Sequence, residues 1–364
     1  MTSAEMRFIK RRDAVPRILC AGVIALDEVF RVEEFPRPDG KVQANGFFVV
    51  NGGCAANAAV AIARLGGRAV LAGPMGGPKG EDANGDRVLR ALKREHVDCT
   101  FCQRIPCLAT ALSSIFMNTH GDRTIVTYCD KRIAATMPTD ADAAVALADV
   151  LLADNCFPDF VQPICAAARR RRLPVVLDGD RRTAENDPLF RLATHVVFSS
   201  ECLRETTGAA DLAEGLKRIA SNTDAFIAVS NGPEDILYLE ADAVRHLPVL
   251  SIVAVDTLGA GDAFHGGFAL ALAEGQGEVE AMRFGAAVAG IKCTRLGGHA
   301  EAVRGRGTHC RKPPVDARAL MGATAPAITG DDRLSEPMPR QSRLVPAASR
   351  SRRTLLKIQP ADSR

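Results

Sequence analysis

Short apolar runs rich in β-branched residues alternate with helical patterns along most of this chain, and this alternation restricts the fold more than any other feature. The runs lie at 18–26, 68–73, 149–154, 174–178, 195–198 and 225–230. Helical periodicity separates most of them. At 85–96, Val88, Leu89 and Leu92 fall on one face, and comparable patterns cover 160–172 and 211–221. Strands linked through helices pair in parallel, and a parallel sheet must be covered on both faces. The predicted class is therefore α/β with a mostly parallel central sheet. Two stretches, 29–50 and 111–128, carry paired strand-like runs without an intervening helix. They predict β-hairpins outside the main sheet, forming a small lid of the kind that excludes water from a reaction.

The 364 residues, 47% of them apolar, suffice for one large domain or two smaller ones. No run of about 18 apolar residues occurs, which excludes a membrane-spanning helix. The stretch 18–26 follows a basic N-terminus but lacks a small-residue cleavage site and runs into Asp27, so it does not read as a secretory signal. The net charge of +3 and pI of 8.3 hint at nucleic-acid binding until the charge is localised. Residues 305–364 hold twelve Lys and Arg against five Asp and Glu, a net +7, which leaves −4 for residues 1–304. That tail also carries seven of the 20 prolines and little hydrophobic periodicity, so it reads as a disordered, solvated appendage. The expected organisation is an N-terminal extension 1–16, a folded domain 17–304 and the basic tail, with no nucleic-acid or membrane partner.

Eleven cysteines without a secretory signal indicate free thiols in a reducing cytoplasm. Cys99-x-x-Cys102 invites a metal reading, but no His at ligand spacing completes a tetrahedral set. The segment reads as a short structural strand.

Two glycine-rich motifs carry the chemistry. In Asn51-Gly52-Gly53-Cys54-Ala55-Ala56-Asn57, paired glycines start a helix that is apolar almost all round and therefore buried. Asn57 is a polar amide in that setting and needs a partner, either local backbone or a ligand. In Asp256-Thr257-Leu258-Gly259-Ala260-Gly261-Asp262, an apolar strand at 251–255 runs into a small-residue turn and then a helix. The amides of Gly259, Ala260 and Gly261 are predicted to point outward at the helix N-terminus, where the dipole favours anions. Asp262 serves there either as a plain helix cap or as a base beside an anion hole. The second arrangement suits phosphoryl transfer to an alcohol, with the base taking the hydroxyl proton while amides stabilise the transferred group. A P-loop is absent, and no Gly-x-Gly-x-x-Gly follows the first strand.

Together the motifs resemble the two signatures of the ribokinase-like (PfkB) carbohydrate kinases. The stretch from Gly73-Pro74-Met75-Gly76 to Gly85 is similar to that family's glycine-spaced loop, and the likeness runs from about residue 17 to residue 303. The resemblance implies a three-layer αβα fold with a β-sheet lid over the sugar. It implies transfer from ATP to a hydroxyl of a ketose or related sugar, Mg²⁺ as cofactor, and a homodimer formed through the lid. Asp262 matches the catalytic base, and Gly259, Ala260 and Gly261 the anion hole. Asp27, Gly52, Gly53, Asn57 and Asp154 match sugar-contacting positions, and Ser199, Glu201, Ser230 and Gly232 the nucleotide side. Asp256 and the loop 294–298 match places where relatives bind a monovalent cation such as K⁺.

This chain departs from the family pattern at two places. Ser199-Ser200-Glu201-Cys202 stands where many relatives carry Asn-x-x-Glu, and Ser230-Asn231-Gly232-Pro233 where many carry Thr-x-Gly. Leu177-Asp178-Gly179-Asp180 and Lys292-Cys293-Thr294-Arg295 are most similar to the sulfofructose kinase and ketohexokinase-like branch. Lys41 fits a basic residue meeting an anionic sugar group, although Thr127 and Cys156 stand where other sulfonate-holding groups are expected. Two further readings stay open: a nucleoside kinase of the same family, and an impaired nucleotide- or sugar-binding regulator.

Overall fold

The computed structural model describes residues 14–119 and 122–294. Most of the predicted extension 1–16, the loop 295–298 and the basic tail 305–364 lie outside the described residues. Strand β1 (Arg17–Ala21) belongs to the main sheet, whereas β2 (Ala25–Arg31) and β3 (Gly46–Gly52) belong to a second one. The run expected as a single strand at 18–26 is thus divided between two sheets. The chain turns at Gly22, φ 149°, where a Cβ would fall 2.0 Å from Asp154 Oδ2, so only glycine fits.

Helix α1 (Cys54–Arg64) leads to β4 (Arg68–Gly76), α2 (Ala83–Arg94) and β5 (Asp98–Ile105), the strand that holds Cys99 and Cys102. Strands β6 (Ala111–Met117) and β7 (Arg123–Tyr128) return to the second sheet. Short helices α3 (Lys131–Ala134) and α4 (Ala141–Val145) precede β8 (Val150–Asp154). The alternation then resumes with α5 (Pro158–Arg170), β9 (Val175–Gly179), α6 (Pro188–Leu192) and β10 (His195–Ser199). Helices α7 (Ser200–Thr207) and α8 (Leu212–Ala220) lead into β11 (Phe226–Asn231), β12 (Glu234–Glu240) and β13 (Ala243–Leu247). Helices α9 (Ala260–Ala273) and α10 (Glu278–Cys293) complete the described chain.

The main sheet has the order β13-β12-β11-β10-β9-β8-β1-β4-β5, and only its β12 and β13 pairings are antiparallel. Every residue of β8 and β9 is buried, because helices cover both faces. Alternate side chains feed two separate cores. Ile18, Leu71, Leu152 and Val176 pack with α1, α9 and α10, while Leu19, Val70, Leu151 and Val175 pack with α5, α7 and α8. This is the expected three-layer αβα arrangement.

The second sheet runs β3-β2-β6-β7; β6 and β7 fall within the expected lid stretch 111–128, whereas β2 begins four residues before the stretch 29–50 and β3 ends two residues after it. Its register places Asp27, Val29, Ser113, Ile115 and Thr127 on one face. Phe30, Phe47, Phe116, Val126 and Tyr128 lie on the other. One expected strand does not form. Residues 251–255 are irregular, with Val253 87% exposed and Ile252 and Val255 also exposed. A β-branched run becomes a strand only beside a partner, and here the β12–β13 hairpin takes the sheet edge. The segment is instead tied to α10 by the amides of Val255 and Asp256, which donate to the Cys293 carbonyl at 2.8 and 3.1 Å. Among the described residues no helix is long and apolar enough to cross a membrane.

Candidate active site

The buried face of α1 is largely alanine, which lets α9 pack closely against it. That approach joins the two glycine-rich motifs. Asn57 Nδ2 donates to Asp262 Oδ2 at 2.7 Å, across 205 residues of sequence. Asn57 is 7% exposed, and its Oδ1 is buried and unpaired among the described residues. Local backbone is not the partner of the Asn57 Nδ2 amide; the carboxylate of the second motif is. Burial pushes the Asp262 carboxyl up to about 7, with Asp180, Asp154 and Asp27 adding to the rise and the Asn57 hydrogen bond opposing it. Asp262 is not the helix cap. Gly259 takes that position with φ 73°, a left-handed conformation that bends the chain sharply into α9.

The same bend corrects one expectation. The Ala260 amide donates to the Thr257 carbonyl at 3.1 Å, closing the turn, so it does not point outward. The amides of Gly259 and Gly261 donate to no backbone carbonyl among the described residues, at the start of a helix whose first N–H groups have no intrahelical acceptor. From the lid, Arg123 Nη1 donates to Thr257 Oγ1 at 3.0 Å and brings a guanidinium beside this turn. His265, one turn along α9, holds the helix to the sheet. Its Nδ1 lies 2.9 Å from the Gly261 carbonyl and its Nε2 3.1 Å from the Val197 carbonyl.

Asp27 and Asp154 are both buried carboxylates pushed up to about 6, chiefly by burial. Asp27 lies opposite Ser113 in the lid sheet. Asp154 is heavily committed to the backbone. Its Oδ2 accepts from the amides of Val23 at 2.7 Å and Ala55 at 3.3 Å, and its Oδ1 from Cys156 at 3.0 Å. With three of about four lone-pair sites used, it is mainly a staple between loop, helix and turn rather than the free hydroxyl ligand expected. Gly52 and Gly53 also serve packing. A Cβ at Gly52 would lie 2.1 Å from Asp27 Oδ1, and one at Gly53 2.3 Å from the Val23 carbonyl. Both Cβ positions therefore face protein rather than an open pocket. Lys41 lies exposed on the loop between β2 and β3.

Ser199 and Ser230 are register partners at the ends of β10 and β11. Ser199 Oγ caps α7 by accepting from Cys202 N at 3.2 Å, and Ser230 Oγ donates to the Phe198 carbonyl. Glu201 is exposed in the first turn of α7, and Gly232 turns β11 into β12 with φ 62°. The carboxylate expected to meet a monovalent cation already has a cation. Lys292 Nζ donates to the Asp256 carbonyl at 2.9 Å and lies 3.4 Å from its carboxylate. A second positive charge there would be repelled, so this side of the site does not fit a K⁺ ion.

Several residues of the site had no role in it from the sequence, although Asp178, Asp180 and Lys292 stand in the branch-like motifs. Asp178 lies near the end of β9 and Asp180 directly follows it, and Asp178 is buried and held well above the usual carboxylate range by burial and neighbouring carboxylates. The contacts of Arg123, His265 and Lys292 also had no local signal, since each acts across more than 30 residues or through backbone carbonyls.

Comparison with known proteins fits this geometry. Residues 15–303 match the profile described as pfkB family carbohydrate kinase. The chain is 26% identical to a ribokinase of Haemophilus influenzae over 284 residues, covering 76% of this chain and 92% of that one. It is 30% identical to an ATP-dependent ribose-1-phosphate kinase of Halopiger xanaduensis over 296 residues, covering 79% and 96%. Among solved structures, a provisionally assigned ribokinase from Agrobacterium tumefaciens superposes with a TM-score of 0.72 at 35% identity, covering 79% of this chain and 94% of that one. A ribokinase from Arabidopsis thaliana, complexed with ribose and ATP, has the same fold, with a TM-score of 0.67 at 22% identity and coverage of 79% and 95%. A profile match across most of the chain, with the two motifs joined through Asn57 and Asp262, places the protein in the pfkB family of ribokinase-like, ATP-dependent kinases, phosphotransferases with an alcohol group as acceptor.

Proposed function

We propose that the protein phosphorylates a hydroxyl of a ketose or related sugar, with Asp262 as the base. The Asn57–Asp262 hydrogen bond carries this reading. It fixes one carboxylate oxygen and leaves a buried, unpaired Asn57 Oδ1 that calls for a hydroxyl donor. The sugar lies between Asp27, Asn57 and the lid, beside the loop, helix and turn that Asp154 holds together. As Asp262 removes the hydroxyl proton, the new O–P bond forms to the γ-phosphorus and the bond to the bridging oxygen breaks, releasing ADP. The amides of Gly259 and Gly261, with Arg123 from the lid, face the charge carried by the transferred group. The nucleotide follows the sheet edge by Ser199, Ser230 and Gly232, where exposed Ile252, Val253 and Val255 offer an apolar surface to the adenine.

Mg²⁺, when bound with ATP, neutralises phosphate charge. Glu201, an exposed carboxylate at that edge, is its nearest replacement for the missing Asn-x-x-Glu. The acceptor includes pentoses as well as the sulfofructose- or fructose-like ketoses suggested by residues 292–295, because the matched relatives are named for ribose and ribose-1-phosphate. Lys41 is the group that meets an anionic substituent. The outer lid face, with Phe47, Val126 and Tyr128 exposed around Phe30 and Phe116, joins two copies in a dimer. Free cysteines throughout the described residues suit a reducing cytoplasm.

The test is ADP release over a panel of ketoses, pentoses, their phosphates and nucleosides. Turnover on at least one sugar is expected, with Asp262→Asn losing about 10²- to 10⁴-fold in kcat. Near-wild-type turnover by that variant overturns the assignment of the base. Preference for a nucleoside overturns the sugar.

A further inference from the structure

Three chain segments that end at the same sheet edge bring two thiols and a carboxylate together. Cys54 is the first residue of α1, Cys156 lies in the turn after β8, and Asp180 directly follows β9. Cys54 Sγ donates to Asp180 Oδ2 at 3.9 Å, and Cys156 Sγ lies beside both. All three ligand atoms are within 4.8 Å of one another. Cys54 also belongs to a second such group with Asp178 and Asp262, so its thiol adjoins the carboxylate proposed as the base. None of the transfer chemistry above uses either thiol.

We propose that Cys54, Cys156 and Asp180 form a site for a thiophilic divalent cation of the Zn²⁺ class, and that its occupation inhibits the enzyme. Two sulfurs and one oxygen are a soft, three-ligand set with a fourth position open to water. Tetrahedral zinc, with bonds of about 2.0–2.3 Å, needs ligand atoms roughly 3.3–3.8 Å apart. The observed separations, all within 4.8 Å, require a convergence of about 1.5 Å at most, within reach of side-chain rotation. The thiol protons pass to solvent as the metal–sulfur bonds form. Asp154, Asp178 and Asp262 surround the cluster with further carboxylates, which draws a cation inward. An ion there occupies the space between Asp262 and the sugar-side residues, so it competes with the sugar.

The inhibitory consequence rests on the kinase reading; the binding does not, and the experiment separates them. The full-length, reduced chain is titrated with Co²⁺, and the thiolate-to-cobalt charge-transfer absorbance is followed, with displacement by Zn²⁺. A saturable band is expected. Cys54→Ser and Cys156→Ser should each weaken Co²⁺ binding by at least about tenfold. The Cys99→Ser/Cys102→Ser variant, which removes the other close thiol pair, should bind as wild type does. Absence of the band, or equal binding by the Cys54→Ser/Cys156→Ser double variant with an unchanged thermal melt, overturns the site. In the ADP-release assay Zn²⁺ should raise the apparent KM for sugar in the wild type. An unchanged KM at saturating Zn²⁺ overturns the inhibition while leaving the binding result standing.

Discussion

Asp262 has a side chain of ordinary acidity in surroundings that withhold its charge. Burial and neighbouring carboxylates raise it to about 7, so the proton it must lack to act as a base is retained until near neutrality. We expect kcat/KM to climb with pH through about 7 and then level off, measured in the ADP-release assay between pH 5.5 and 9. The same shift predicts a stability effect of defined sign. The folded carboxyl lies above its unfolded value of 3.8, so the folded state binds the extra proton in the window between about 4 and 7. Stability is lost as pH rises through that window. Asp262→Asn removes the titration but keeps an acceptor for Asn57, so its melting temperature at pH 8 should equal or exceed that of the wild type while its activity collapses. Asp27 and Asp154, at about 6, keep part of the pH dependence in the variant, so its fall in melting temperature from pH 5.5 to 8 should be smaller than that of the wild type; an equal fall would show that Asp262 does not contribute.

Between elements, two charged side chains act as fasteners. Asp154 accepts amides from the loop after β1, the start of α1 and the turn after β8. Asp154→Ala leaves these three donors without their acceptor and should cost at least about 2 kcal/mol, read from urea denaturation. Lys292, near the end of α10, holds the carbonyl and carboxylate of Asp256 just before the catalytic turn. With its own ammonium there, the wild type should turn over equally in K⁺ and Na⁺ buffers. Lys292→Met should reduce activity and make the remainder respond to K⁺, as an external cation takes the vacated position. The elements also show what local pattern misses. The runs at 149–154, 174–178, 195–198 and 225–230 all became strands because each has neighbours in the sheet. Residues 251–255 have the same composition and stayed irregular, since strand formation depends on an available edge.

For the whole molecule, the lid sheet presents opposite chemistry on its two faces: Asp27, Ser113 and Thr127 toward the site, aromatic and β-branched residues outward. Val126 is 62% exposed on β7, an edge strand with every residue exposed. An uncovered apolar edge of this kind favours pairing with another copy. Val126→Glu should shift sedimentation from dimer to monomer while leaving the melting transition of the chain in place. If the wild type sediments as a monomer at micromolar concentration, the lid interface is wrong.

The alternating runs determined, without any coordinates, that the chain would be α/β with a mostly parallel sheet and a β-hairpin lid, and the two glycine-rich motifs marked Asn57 and Asp262 as polar groups in need of partners. Those features are local: periodicity selects helix or strand, and glycine marks where backbone must bend or come close. Tertiary structure alone decided that Ala260 closes the turn, that Asp154 is spent on three amides, and that Lys292 sits on Asp256. It also decided that the sulfurs of Cys54 and Cys156, 102 residues apart in number, lie within 4.8 Å of each other. A hydrogen bond or an ion pair depends on atoms a few ångströms apart, and only packing of the α1–α9 pair against the sheet sets which distant side chains meet at that range.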